Sequence, residues 1–557
     1  MNDRRTIIAL ILMGVVLLLT PTYMNLVGGP GGQEAAGPDT SAVTAPADTA
    51  PPRTRPAAAG EEEAEETPEP EEEAPRPPAL AEPGSDAPEQ GREIVVRSSR
   101  YVGKIATSSG GISSWHLPGY AMHTGGSVEL IPPGARGLVL DLPRGDERAL
   151  LEDLLFVSSA PDTVDVGDGE QRAVELTAGL EGGRRIRRRL TFTGGRYDLL
   201  VEDRLEGFDV SSLNDAYLLR WVGGLRLTEP DRGEELQYSG FYALQGGDVE
   251  KRKLKDELVE ARLTGSVDWA ALRTKYFTAV LMPGRASFRG ARMTGIAPKS
   301  GPVRMDAAVE YGMEDDEELR TVVYIGPIDY SELTSYEAEL QKMMDFGWGF
   351  IRPISKLILR LFTFLHEFIP NYGIVIILFS VLVKIAVFPL TRKSYASMHA
   401  MQELAPKMKE LKEKYGDEPE KMNKKMMNLY KEHGVNPLGG CFPLLLQMPI
   451  FFALFVVFRS TIELRGEPFM LWIQDLSLQD PYMILPGLMA LTMFIQQRMQ
   501  LKDPRQKAMM YIMPLVMFFL FKGFPAGLIL YWTLFNVLSV VQTEIIHPPK
   551  RAQEAGA

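Results

Sequence analysis

One stretch constrains this chain more than any other: Asn371-Tyr-Gly-Ile-Val-Ile-Ile-Leu-Phe-Ser-Val-Leu-Val-Lys-Ile-Ala-Val-Phe-Pro-Leu-Thr391. It is apolar for the length of a bilayer, yet it carries one ammonium, Lys384. As a helix, Tyr372–Pro389 rises about 27 Å, close to the hydrocarbon thickness. A charge placed there costs about 2.5–3.5 kcal/mol on insertion scales unless it meets water or a partner. The functional question is what Lys384 is for.

The chain has 557 residues and a formal net charge of −12, set in part by the acidic run Glu61–Glu73. The acidity lies in a local tract, so it says little about folded parts and gives no support for nucleic-acid binding. The single cysteine, Cys441, rules out an intrachain disulfide and any multi-cysteine metal site. The histidines are scattered, so no metal constellation is expected, and no cofactor.

Met1–Arg5 carries two arginines, and Thr6–Leu19 is nearly all apolar. A cleavable signal peptide is the plain alternative, but no small-x-small cleavage site follows. Residues 1–27 are expected to be an uncleaved transmembrane anchor with its N-terminus in the cytoplasm, because Arg4 and Arg5 stay inside. Residues 28–92 are Pro, Ala, Gly, Thr and Glu, an extended, disordered tether that cannot bury enough apolar surface to fold.

Residues 93–345 read as β: short alternating runs separated by Gly, Pro and Asp turns, summing to a large antiparallel sandwich. Ile186, Leu190 and Phe192 share a strand face, and Gly194-Gly195 turns the chain into Tyr197–Val201. A later strand is Tyr276–Met282. The cluster Arg184–Arg189 is expected to be a solvated strand face rather than an anion site.

Within 346–370, Ile354, Leu357, Ile358, Leu361, Phe362 and Leu365 follow helical spacing, with Arg352, Lys356 and Arg360 opposite. That is an amphipathic helix for the outer membrane interface; the plain alternative packs it on the β domain. The span at 371–391 then runs inward. Residues 392–437 carry ten Lys/Arg and form a cytoplasmic helical hairpin. Leu404, Met408, Leu411 and Tyr415 make one stripe, and Met422, Met426 and Leu429 the other. Met401, Met408, Met422 and Met426 offer either an adaptable surface for apolar clients or simple packing of helix on helix. Residues 438–546 hold four more spans, and 547–557 is a short cytoplasmic tail. The expected fold is a polytopic α-helical membrane protein of six spans with an all-β domain outside.

Ser380 lies one turn before Lys384. In the last span, Trp532, Asn536, Ser539 and Thr543 recur at helical spacing, and Gln447 is polar inside another span. These groups are expected to line a wet concavity around Lys384. The plain alternative is a lysine that snorkels toward Arg392.

Phe388-Pro-Leu-Thr391, Asn436-Pro-Leu-Gly-Gly-Cys-Phe-Pro443 with Gln447-Met-Pro-Ile450, Asp475-Leu-Ser477 with Asp480-Pro-Tyr482, and Phe524-Pro-Ala-Gly527 with Leu530-Tyr531 resemble the YidC-type membrane protein insertases (YidC/Oxa/Alb family). The resemblance covers Trp348–Ile546; the β region is similar, more loosely, to the family's periplasmic β-supersandwich, as in the Gram-negative form. It implies five core helices and a hydrophilic groove, with Lys384 where the family usually has arginine, Ser380 as groove hydroxyl and Trp532 as groove aromatic. It implies insertion, folding and assembly of nascent integral membrane proteins in the bacterial inner membrane. The implied partners are the Sec translocon with its accessory subunits, the ribosome through cytoplasmic loops, and the lipid bilayer. No enzymatic chemistry is expected.

Two other classes compete. An intramembrane lysine permits a solute transporter, but no inverted repeat accompanies it. A sandwich alone permits a sugar-binding protein, but a sandwich carries no function by itself. Deleting Glu93–Ser331 separates them: an insertase core should keep most insertion activity in a protease-protection assay, and loss of nearly all of it would favour the β domain as the functional part.

Overall fold

The structure, a computed structural model, describes residues 91–144, 147–150, 154–208, 216–285, 287–312, 318–416, 418–435, 442–500 and 507–546. The expected anchor, nearly all of the tether, and the C-terminal tail lie outside the described residues.

The β region forms two sheets, of eleven and eight strands, packed face to face. Pairing is antiparallel except for the strands Glu93–Arg97 and Thr163–Asp165. The expected hairpin is present: Arg185–Thr193 pairs with Asp198–Glu206, and Gly195 adopts φ 78°, the left-handed turn conformation that glycine tolerates. Ile186, Leu190 and Phe192 are buried together.

The arginine cluster divides. Arg185, Arg187 and Arg189 face outward, as a solvated face requires, but strand alternation turns Arg188 inward, where it is 1% exposed. Its Nε and Nη2 donate to Asp203 Oδ1 and Oδ2 at 2.6 and 2.9 Å. Its Nη1 donates to the carbonyls of Gly110, at 2.9 Å, in the turn leading into Gly111–Ala121, and of Leu138 in Arg136–Arg144, both strands of the opposite sheet. One guanidinium therefore stitches the two layers together. Trp115 adds a second stitch, its Nε1 donating to Ile325 O at 3.1 Å.

The chain then becomes helical: α1 is Ile351–Phe368, α2 Tyr372–Glu403, α3 Ala405–Tyr415, α4 Pro419–Glu432, α5 Phe442–Ser460, α6 Ile484–Gln500, α7 Lys507–Phe521 and α8 Ala526–Ile546. Among the described residues, two helical stretches are long and apolar enough to cross a bilayer, Tyr372–Arg392 and Ala526–Thr543; Leu445–Ser460 and Met510–Phe521 are shorter apolar stretches. The helix holding Lys384 runs through Pro389 and on to Glu403. A proline removes one backbone donor and so bends a helix without having to end it.

Along α1, Ile351, Ser355, Ile358, Leu359 and Phe362 are buried, with Phe362 against Phe379 of α2 and Phe458 of α5 at 5.1 and 5.8 Å. Leu357 is 66% exposed and shares an outer stripe with Phe350, Phe364 and Phe368. A helix so arranged has apolar groups on two sides, one against its neighbours and one left for another apolar medium.

Charged groups join the β domain to the helices. Arg465, beyond α5, donates to Glu229 Oε1 at 2.7 Å, with both side chains almost fully buried. Arg459 reaches Glu234 at 3.1 Å, and the same carboxylate holds Lys275 at 3.2 Å. Glu463 lies in this joint with a buried Oε2 that has no partner among the described residues. Burial, and then Asp329, push its pKa up to about 8, while backbone N–H groups, including that of Tyr330, pull it down.

Two predictions follow from the buried charges. Asp203→Leu strands Arg188 and should cost about 3–5 kcal/mol, whereas Arg188→Met with Asp203→Leu should recover most of it; thermal unfolding of the full chain, read by tryptophan fluorescence, checks both. Glu463 ionises at higher pH folded than unfolded, so stability falls as pH rises from about 4.5 toward about 8. Glu463→Gln should raise the melting temperature at pH 8.5 and shallow that fall. A residual slope should remain, because burial also lifts Glu235 to about 7.

Candidate functional site

Lys384 sits midway along α2, facing α8. Its Nζ donates to Ser539 Oγ at 2.7 Å and lies 4.2 Å from the Phe535 ring centroid. A hydroxyl and a ring face both favour a cation, the ring by about 0.5–2 kcal/mol. Ser539 passes its own proton to Phe535 O at 2.7 Å, which leaves its lone pairs toward the ammonium. One turn below, Gln542 Nε2 donates to Thr391 Oγ1 at 3.3 Å. One turn above Phe535, Tyr531 lies beside Phe379. The α2–α8 seam thus carries an aromatic layer, a cationic layer and an amide layer.

Helix ends fix this seam. Asn371 Oδ1 accepts from Ile374 N at 3.1 Å, as an N-cap does, and its Nδ2 donates to the carbonyls of Pro468 and Phe469 at 3.3 Å. Gly373 is required because a Cβ there would collide with the Phe469 ring. Asp480 accepts from Tyr482 N and Leu485 N to start α6, and Trp472 Nε1 donates to it at 3.0 Å. At Gly527 a Cβ would stand 2.6 Å from Phe458, so glycine lets α8 approach α5.

The expected groove residues are only partly brought together. Ser380 is fully buried and donates to Ile376 O at 2.7 Å, inside its own helix. Gln447 is buried on α5 facing the Tyr531 hydroxyl; the two interact, but neither Gln447 Nε2 nor Tyr531 Oη makes a well-formed hydrogen bond among the described residues. Each such group costs about 1–3 kcal/mol unless water or another polar group enters. Asn536 turns to α6, with Met489 O and Thr492 Oγ1 at 3.5 and 3.4 Å. Trp532 packs against Phe451 and Phe521 at 4.9 and 5.4 Å, and Thr543 donates to Ser539 O. The proposed single polar face Trp532–Asn536–Ser539–Thr543 therefore splits, with Ser539 alone of the four beside Lys384.

Sequence reasoning missed Tyr531, Phe535 and Gln542. They recur with Ser539 at four-, four- and three-residue steps, a helical face as regular as the one chosen. The signal was the second polar amide, Gln542. A helix of 100° per residue puts Tyr531 and Trp532 on different sides.

In the α3–α4 hairpin, Met422 is buried and Met408 and Met426 are half-buried, as is Met401 near the end of α2, and Tyr430 Oη donates to Met408 Sδ at 3.7 Å. Much of the methionine surface is thus used by one helix packing on the other; Met427 is 49% exposed.

Comparison with known proteins follows this division. The family model "60Kd inner membrane protein" matches residues 364–553, and the YidC periplasmic domain model matches residues 93–361. A membrane protein insertase YidC of Chlorobaculum tepidum is 37% identical over 432 residues, 73% of each chain. That of Geotalea daltonii is 34% identical over 481 residues, 84% of this chain and 89% of its own. A solved active YidC insertase aligns over 83% of this chain and 95% of its own, at 16% identity and a TM-score of 0.38, too weak a likeness to weigh. By the two matched models and the identity of these relatives, this chain belongs to the YidC family of membrane protein insertases.

Proposed function

We propose that this chain inserts, folds and helps assemble nascent integral membrane proteins in the inner membrane, with Lys384 as the cationic group that receives their polar ends. The observation that carries this reading is the Lys384–Ser539 contact, which holds an ammonium between α2 and α8, with the buried polar pair Gln447 and Tyr531 two turns further along α8. Polar groups in this state favour a polar or anionic visitor over lipid.

In this reading six spans cross the membrane: an anchor at 1–27, then spans at 371–391 and within 438–546. The 93–345 domain and the α1 helix lie on the periplasmic side, with α1 in the interface, and both termini are cytoplasmic. The tether occupies 28–92, the hairpin 392–437, and a short tail 547–557. A client meets the hairpin first, through Met401, Met408, Met426 and the neighbourhood of Met422. Its polar end then enters past Gln447 and Ser380 toward Lys384, with Asn536 and Trp532 as walls. Its apolar segment partitions into lipid. Apolar partitioning supplies the free energy, and the membrane potential adds about 2.3 kcal/mol per charge per 100 mV. The Sec translocon and the ribosome, met through cytoplasmic loops, are the partners this scheme needs.

Lysine is a hydrated point charge, so the role should survive replacement by another cation but not by a hydrocarbon. Lys384→Arg should keep most insertion of a single-span client with an acidic leading end, and Lys384→Leu should lower it at least tenfold, by protease protection. A photoreactive residue at Ser380 should crosslink to that client during translation. Equal insertion by both variants, with no adduct, would make Lys384 a snorkelling anchor.

A further inference from the structure

The loop between α5 and α6 carries apolar side chains on its outer surface. Met470 and Leu471 are 53% and 76% exposed, and Tyr482, Met483 and Ile484 are 69%, 46% and 41% exposed. With Pro481, also exposed, the second group is four consecutive uncharged residues in the open, a run that a protein surface in water avoids. The two groups are neighbours. Trp472, next to Leu471, donates its Nε1 to Asp480 Oδ1 at 3.0 Å, and the same carboxylate oxygen accepts from Tyr482 N.

Two of these residues hold a backbone conformation that costs them. Leu471 has φ 55° and Met483 φ 57°, the left-handed region that glycine and asparagine enter more readily. Hydrogen bonds close both turns: Ile473 N donates to Met470 O at 3.1 Å, and Met483 N to Asp480 O at 3.2 Å. In water, strain and exposure would both argue for glycine or asparagine at 471 and 483. Long apolar side chains belong there only if something apolar covers them.

The surroundings name the cover. Asn371, the cap of α2, donates to the carbonyls of Pro468 and Phe469, so the loop sits level with the outer end of the apolar stretch Tyr372–Arg392. Along α6, Ile484, Leu488, Leu491 and Ile495 are exposed and recur at steps of four, three and four, one stripe that starts at the patch and runs down the helix. The loop's charges go elsewhere. Arg465 is on Glu229, Glu463 lies in the joint with the β domain, Asp475 accepts from Ser477 N and Oγ, and Glu467 is half-buried. A single medium, bilayer lipid, meets the stripe and the patch together.

We propose that this loop is an outer-leaflet anchor: Met470, Leu471, Met483 and Ile484 enter the acyl-chain region, with Tyr482 at the headgroup level where amphipathic rings settle. The anchor holds the outer ends of α2 and α6 at one depth. It rests on the reading that α2 and α6 cross the bilayer with this loop on the outer side.

The test uses the full chain in bilayers of phosphatidylcholine and phosphatidylglycerol, with Cys441→Ser and one spin-labelled cysteine introduced at a time. Oxygen partitions into lipid and a water-soluble nickel chelate does not, so labels at Leu471 and Met483 should favour oxygen over the chelate by about threefold or more relative to a label at the exposed loop residue Gln479. Leu471→Gly with Met483→Gly removes the side chains and relaxes the backbone. A label at Tyr482 should then move toward chelate access, and it should keep its depth in the exchange Leu471→Met with Met483→Leu. Chelate access at 471 and 483 equal to that at Gln479, an unmoved Tyr482 label in the glycine variant, or spin–spin broadening from a second copy covering the patch would overturn the proposal. A label at Leu491 tells the two readings apart. Oxygen access there with chelate access at 471 and 483 sinks the anchor alone, whereas chelate access at Leu491 shows that α6 does not cross the bilayer and overturns both.

Discussion

An ammonium inside an apolar helix is the constraint to which the helical core answers. Lys384 is the only charged residue between Asn371 and Thr391, and hydrocarbon cannot satisfy it. The core answers by bringing α8 alongside α2, so that Ser539 Oγ and the Phe535 ring meet the ammonium. The aromatic layer above, with Phe379 and Tyr531, and the amide layer below, with Thr391 and Gln542, continue the same seam. Ser539 and Phe535 meet the ammonium and Gln542 Nε2 reaches Thr391, while Gln542 Oε1 has no hydrogen-bond partner among the described residues. Gln447 and Tyr531 turn their polar ends toward one another between α5 and α8.

The rest of the chain fixes this seam from its ends. Asn371 caps α2 while holding the loop at Pro468–Phe469, Asp480 starts α6, and Ala526 and Gly527 at the start of α8 donate to the carbonyls of Leu478 and Leu476. That loop is in turn pinned to the β domain by Arg465 on Glu229, and the end of α5 by Arg459 on Glu234. Breaking one partner of a buried pair costs far more than the pair gains, so such contacts specify an arrangement more than they stabilise it. The β domain is itself held by inward charges, with Arg188 joining its two layers.

Much of this was legible in the chain. Alternating runs marked the strands, and glycine pairs marked turns such as Gly194-Gly195. The apolar stretches marked the helices, and the cost of a buried charge marked Lys384. Which face of α8 meets α2 was not legible. Trp532, Asn536, Ser539 and Thr543 form a helical face, and so do Tyr531, Phe535, Ser539 and Gln542. Periodicity finds both phases equally. Arg188 was misread with its neighbours because alternation gives two sides without saying which side is covered.

By itself, then, the sequence determined the order of a β domain and an apolar helical core, the helical and strand periods, and the place of the cation that needs an explanation. These are local quantities: propensity, spacing and the solvation cost of one side chain. Tertiary structure alone decided that Ser539 and Phe535 receive Lys384, and that Asn536 goes to α6 and Trp532 to Phe451 and Phe521. Those outcomes depend on how helices and sheets rotate against one another. That rotation is set by packing among residues distant in the chain, and a sequence period does not contain it.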